Sequence, residues 1–249
     1  MNSLKQLEEK SIFEHIGELR KRIFIVIGAI TLGTIIAHIF NKEIVAFVLR
    51  PATGQHLIFL SPLESLFFIF KIDITTGIII AFPVIVWTLF SFITPALPRK
   101  ITKLLVLFFV TSIFLLILGL FYAFLVTIPF SLKFLFSIVV PGIENQISAE
   151  SYISFFITQA LIIALIFQVP IFITGGIYLR FFKTKTLSKK RRYIYLIITI
   201  ALAVITPTVD IFNLIIVLVP CLAIFEVSLI GGKIVEMMHK KEKLEIEQI

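Results

Sequence analysis

The sequence predicts an all-α polytopic membrane protein with six transmembrane helices. Three observations carry that reading. Hydrophobic residues make up 59% of the 249, with a mean hydropathy of +1.07, whereas soluble domains hold about 45–50% apolar residues. Charged residues are only 15% of the chain and cluster between long apolar runs, as lipid-embedded helices require. The alternating ~10-residue pattern of a membrane barrel is absent from the sequence, so helices, which satisfy their own backbone groups in hydrocarbon, are the expected spans.

The six runs follow in order. The first is Ile23 to Phe40. Its 18 residues lack a small-x-small exit site, so it reads as a retained span. The second is about Ile74 to Ile93, interrupted by Pro83. The third is Leu104 to Ile128, closed by Pro129. The fourth is about Tyr152 to Tyr178, with Gln168 and Pro170 inside it. The fifth runs from Tyr193 to about Val209 and the sixth from Ile211 to Ile230, joined through TPTVDIF. At 1.5 Å per residue the fifth covers about 26 Å at most, less than a ~30 Å hydrocarbon core. Spans five and six are therefore expected to be short.

Lys and Arg set the orientation. Nineteen lie in the N-terminal segment, the loops after spans two and four, and the tail; only Lys42, Arg50, Lys71 and Lys133 lie on the other side. Both termini are thus expected in the cytoplasm. The whole chain, 1–249, reads as one membrane domain. It has a cytoplasmic N-terminal segment (1–22), a six-span region (23–231) and a cytoplasmic tail (232–249). The net charge of +8 is explained by this topology without nucleic acid as a partner.

Two stretches carry helix-start signals. Ser61-Pro62-Leu63-Glu64 has a capping serine, a proline at the first helical position and a glutamate at the third, so a helix starts there, outside the membrane. Ser11-Ile12-Phe13-Glu14 is a second capping box, which gives Glu14 a structural role.

Several chemistries are excluded. The one cysteine, Cys221, allows no internal disulfide or thiolate metal site. The histidines are scattered. No GxSxG and no phosphate-binding glycine loop occurs; Gly175-Gly176 and Gly231-Gly232 sit at the ends of apolar runs and point to helix ends or close packing. No cofactor is implied.

Polar residues within or beside lipid need a reason. Lys71 and Asp73 at the outer edge of span two suit snorkelling interfacial anchors. Glu226 lies deep in span six and needs a partner from another helix or a wet cavity. Gln168 either bonds across helices or lines a polar cavity. Asp210 sits at the outer turn between spans five and six. The two glutamates at the start of span one, Glu14 and Glu18, are harder to place, since cations alone would suit that border. Glu18 and Arg22 are spaced as an i,i+4 pair.

The order of these features resembles the TatC family, the large membrane subunit of the twin-arginine protein translocase, over nearly the whole chain. His15-Ile16-Gly17-Glu18-Leu19-Arg20-Lys21-Arg22 matches the family's HLxELRxR ahead of span one. SPLESLFFIFK, Pro83, FSFITPAL at 90–97, Gly119, Pro129, SYISFF at 151–156, FQVP at 167–170, Lys190-Arg191-Arg192-Tyr193, ITPTVD at 205–210 and Phe225-Glu226 follow in register. The resemblance implies a curved, cup-like fold whose concave side includes Gln168. It implies a receptor for twin-arginine signal peptides that assembles a translocon moving folded proteins on the proton-motive force, without nucleotide and not as an enzyme. It assigns signal-peptide binding to Glu18, Arg20, Arg22, Phe92 and Pro95. Partner contacts fall along span five and its outer hairpin, at Tyr193, Pro207 and Asp210. The implied partners are single-span TatA/TatB-type subunits, other copies of the chain and lipid, in the bacterial inner membrane or its thylakoid or mitochondrial counterpart.

Two departures stand out. The loop Pro95-Ala96-Leu97-Pro98-Arg99-Lys100-Ile101 has isoleucine at 101 where the family usually places a second recognition glutamate, and Gln168 stands where many members have glutamate. The competing class is a six-span small-solute transporter or channel, which needs a polar midplane site; Gln168 and Glu226 are its candidates. An intramembrane enzyme lacks a nucleophile and base.

Overall fold

Apolar runs this long fold as helices because only an internally hydrogen-bonded backbone is tolerated in lipid. The computed structural model describes the backbone of residues 2–93, 102–137, 146–206 and 211–247, and side chains over 17–92, 105–137, 146–206 and 211–237. Among the described residues, five helices are long and apolar enough to cross a membrane. The fifth apolar run forms a shorter helix, α9, Arg191–Ile205, of 15 residues.

The chain forms two compact units. The first comprises residues up to Phe47 together with Pro62–Val110. Its core is α1, Asn2–Ile39, against α3, Pro62–Ile93. The two backbones touch: a Cβ built on Gly33 would lie 2.5 Å from the Gly77 carbonyl oxygen. Such close approach is how apolar helices gain contact where lipid offers no hydrophobic drive between them. Helix α3 starts at Pro62, as its cap signal predicts, and runs through Pro83 without ending. Helix α1 does not start at the Ser11 capping box. It begins at Asn2 and passes straight through residues 11–14, because the preceding NSLKQLEEK is rich in strong helix formers.

Asp73 corrects the expectation of a snorkelling anchor. It is buried, 3% exposed. Its two carboxylate oxygens are each held at 2.7 Å, one by His38 Nδ1 and one by the Asn41 side-chain amide. A buried carboxylate requires such partners.

The second unit comprises Val48–Ser61 and Thr111–Ile249. Helix α2, Asn41–Leu49, leads into it. Two short strands outside the spans, β1 (Leu57–Ile58) and β2 (Ile147–Ser148), pair in parallel with Leu57 opposite Ile147. Helix α4, Thr102–Tyr122, passes through a π-helical turn at Ala123–Thr127 into α5, Ile128–Ser137. Pro129 therefore does not close span three. The wide π turn accommodates a ring that would clash with the carbonyl four residues earlier.

Span four is α6, Ala149–Phe167, and α7, Val169–Tyr178, broken at Gln168. Ser148 caps α6, its hydroxyl accepting from the Ser151 N–H. The Tyr152 hydroxyl donates to the Val48 carbonyl at 2.6 Å, which ties α6 to the end of α2. After α7 comes a turn in which Arg180 takes a left-handed φ of 62°, then α8, Thr184–Lys189, and α9.

Span six lies on α10, Ile211–Glu247, which passes through Pro220. Its membrane-competent part, Ile211–Met237, is 27 residues long. It exceeds the short span expected, because Gly231-Gly232 and Lys233 do not end the helix. Gly231 and Gly232 instead let it pack tightly: Cβ atoms there would press on Thr174 at 2.8 Å and on Ile177. The expectation of close packing at these glycine pairs is met.

Candidate functional site

The charged border before span one is built around Arg22. Its guanidinium donates from Nη1 to the Thr88 carbonyl at 3.0 Å and to Ser91 Oγ, and from Nη2 to the Ser91 carbonyl at 3.0 Å. Ser91 is in the last described turn of α3, and its carbonyl has no intrahelical donor because residue 95 is a proline. The guanidinium also lies 5.4 Å from the centre of the Phe92 ring. One arginine of α1 thus ties that helix to α3.

Glu18 stands one turn earlier on α1. Among the described residues its partner is Arg22 Nη2, 3.7 Å from Oε2, and its side chain is 53% exposed. At that distance and exposure the pair is worth only a few tenths of a kcal/mol. The carboxylate is therefore available to a guanidinium arriving from outside, which could bind it in bidentate fashion. Arg20 is not part of this group. It lies two residues from Arg22, on another side of the helix, and its guanidinium sits 5.7 Å from the Phe24 ring. Of the residues singled out in the sequence, the structure brings Glu18, Arg22 and Phe92 together and leaves Arg20 apart. Pro95 and Ile101 lie outside the described residues.

The intramembrane polar residues each find a partner. Gln168, buried at 5%, accepts from the Ser112 hydroxyl at 2.7 Å and donates to the Ser112 carbonyl at 3.2 Å. This is the helix-to-helix bond, here from the α6–α7 break to α4. Glu226 accepts from the Tyr195 hydroxyl and pairs with Arg191 Nη2 at 2.9 Å. The partner that Glu226 required is therefore α9. The two candidates for a solute site are both engaged in holding helices.

Tyr193 is exposed on α9, in a stripe with Ile197, Ile200 and Val204 that turns away from the rest of its unit. Pro207 and Asp210 lie outside the described residues.

Sequence reasoning missed Ser91 and Thr88 as the receivers of Arg22, since backbone carbonyls leave no sequence signal. It also missed Arg191 and Tyr195. Their i,i+4 spacing at the start of span five, facing an orphan acid in the next helix, was a usable signal.

The same architecture recurs in known proteins. The family profile described as Sec-independent protein translocase protein (TatC) matches residues 14–220. The chain belongs to the TatC family. The TatC protein of Carboxydothermus hydrogenoformans is 30% identical over 92% of this chain and 96% of its own length. A TatC-like protein, ycf43, of the alga Gracilaria tenuistipitata var. liui is 33% identical over 91% of this chain and 95% of its own. A crystal structure described as twin arginine translocase receptor TatC in DDM superposes with a TM-score of 0.77 at 30% identity, covering 88% of this chain and 99% of that one. As a TatC-family chain with several long apolar helices, this is a multi-pass membrane protein of a protein-translocase family.

Proposed function

We propose that this TatC-family chain is a receptor for twin-arginine signal peptides and the core subunit of a translocon that moves folded proteins across the membrane. The observation that supports the reading is the Glu18 carboxylate: half exposed, loosely paired, and set on a helix whose position is fixed by Arg22. A carboxylate in that state suits recognition of paired guanidinium groups. Arg22 and Phe92 shape the site's wall, while Arg20 and Pro95 are further signal-peptide contacts that the family resemblance implies.

The exposed stripe from Tyr193 to Val204 is the surface for single-span TatA/TatB-type subunits, with Pro207 and Asp210 as further contacts implied by the family resemblance and self-association building the larger complex. The proton-motive force drives the cycle. The reading places the chain in the bacterial inner membrane, with thylakoid and mitochondrial inner membranes as organellar counterparts.

The test is site-specific crosslinking from position 18 to a peptide carrying Arg-Arg, with a Lys-Lys peptide as control. Crosslinking that requires Arg-Arg supports the receptor. Equal crosslinking to both peptides removes Glu18 as the recognition residue.

A further inference from the structure

We propose that the segment from Arg180 to Arg192 is a binding site for the phosphate headgroups of anionic phospholipids. The segment contains no acidic residue. Arg180, Lys183, Lys185, Lys189, Lys190 and Arg192 are all exposed, and none of the six forms an ion pair with a described residue. The two acids that reach the segment are engaged elsewhere. Glu236 accepts from the Thr184 N–H at 2.8 Å and so holds the start of α8. Glu226 is held by Arg191 and Tyr195. Among the described residues, what remains on this segment is a surface of one sign.

Orientation alone accounts for cations on this side, but not for their setting. Phe181, among them, is 77% exposed, a large apolar side chain of the kind that enters the boundary between headgroups and acyl chains. The turn that aims it is fixed. The Phe181 N–H bonds the Gly176 carbonyl at 2.9 Å and the Arg180 N–H bonds the Ile177 carbonyl at 3.0 Å. This is the paired arrangement that closes a helix through a left-handed residue. That residue is usually glycine; here it is an arginine at φ 62°. A cation therefore holds a position that glycine would occupy with less strain.

Depth adds a further argument. Helix α9 starts at Arg191 and has 15 residues, about 22 Å, against a hydrocarbon core of ~30 Å. A span that short draws its ends towards the hydrocarbon or thins the bilayer around it. The cations at its start then lie at phosphate level, where lysine and arginine extend towards the headgroups. Each such cation strengthens attachment to an anionic surface about fivefold.

The experiment uses the full chain in a non-ionic detergent, with dihexanoyl phosphatidylglycerol as probe and dihexanoyl phosphatidylcholine and inorganic phosphate as comparisons. The thermal midpoint is followed at each concentration. The anionic lipid should act at concentrations at least about tenfold lower than the zwitterionic one, and this preference should collapse at about 0.5 M salt.

The variant K183Q/K185Q/K189Q/K190Q should abolish the preference, whereas K42Q/K133Q, on the opposite side, should keep it. Arg180→Gly separates the site from the fold. It should raise the midpoint of the lipid-free protein by relieving the left-handed strain, yet weaken the lipid preference about fivefold. The proposal is overturned if the quadruple variant retains the preference, or if the control pair loses it equally. It is also overturned if inorganic phosphate matches the lipid, which means a free-anion site, or if a poly-glutamate peptide binds more tightly than the lipid, which means an acidic protein partner.

Discussion

Arg22 and Ser91 are joined twice, through the serine hydroxyl and through its carbonyl at 3.0 Å, so that the first helix is tied to the third. Glu18, one turn away, is left with a 3.7 Å contact. The arginine is held in place by α3, whereas the glutamate has only that long, exposed contact among the described residues.

The two residues should therefore separate in experiment. Arg22→Lys keeps the charge but loses the planar fork, and should cost on the order of 1–2 kcal/mol of stability, read as a lower thermal midpoint in detergent. Glu18→Gln should change stability by less than about 0.5 kcal/mol while reducing twin-arginine peptide binding at least about tenfold. Unchanged peptide binding by Glu18→Gln would remove the recognition role. A stability loss as large as that of Arg22→Lys would show that Glu18 is a structural partner instead.

Much of this was legible in the sequence. The six spans follow from hydropathy, and the start of α3 from Ser61-Pro62. The family followed from the order of short motifs rather than from any one of them. What escaped was long-range or compensatory. A capping box at Ser11 cannot reveal that the upstream residues are themselves good helix formers. Pro129 carries no mark of the π turn that absorbs it. Asp73 reads as an interfacial acid until α1 brings His38 and the start of α2 brings Asn41 to it. Sequence patterns report local preference, and these three outcomes depend on neighbours the pattern does not contain.

Glu226 and Arg191 form a pair 35% and 43% exposed, so solvent screens part of its strength. Glu226→Gln should cost about 0.5–1 kcal/mol. A double-mutant cycle with Arg191→Gln should return a favourable coupling of similar size. Additive effects would mean that the contact contributes nothing and that Tyr195 alone holds Glu226.

Gln168 both accepts from and donates to Ser112. Gln168→Leu leaves the Ser112 hydroxyl without that buried acceptor and should cost about 1–3 kcal/mol. Ser112→Ala added to it should recover part of the loss, since removing both partners is cheaper than orphaning one. Gln168→Glu, the residue of many relatives, cannot donate to the Ser112 carbonyl when ionised, and should destabilise this chain by a similar amount. Thermal midpoints of the four proteins decide this. A glutamate variant as stable as the parent would show that Ser112 turns to a different acceptor.

Gly33 and Gly77 meet backbone to backbone, so neither can gain a side chain without moving a helix. A Cβ on Gly33 would sit 2.5 Å from the Gly77 carbonyl oxygen and 3.2 Å from its carbon, and backbone, unlike a flexible side chain, cannot swing aside. Gly33→Ala gains helix propensity of up to about 1 kcal/mol, yet overpacking of this kind costs about 1–3 kcal/mol. The sum should be a net loss. Gly28, on the same helix with nothing within 4 Å of a built Cβ, supplies the control: Gly28→Ala should be neutral or stabilising. Thermal midpoints and protease resistance of the two variants should therefore move in opposite directions. If both rise, α1 and α3 do not touch at Gly33.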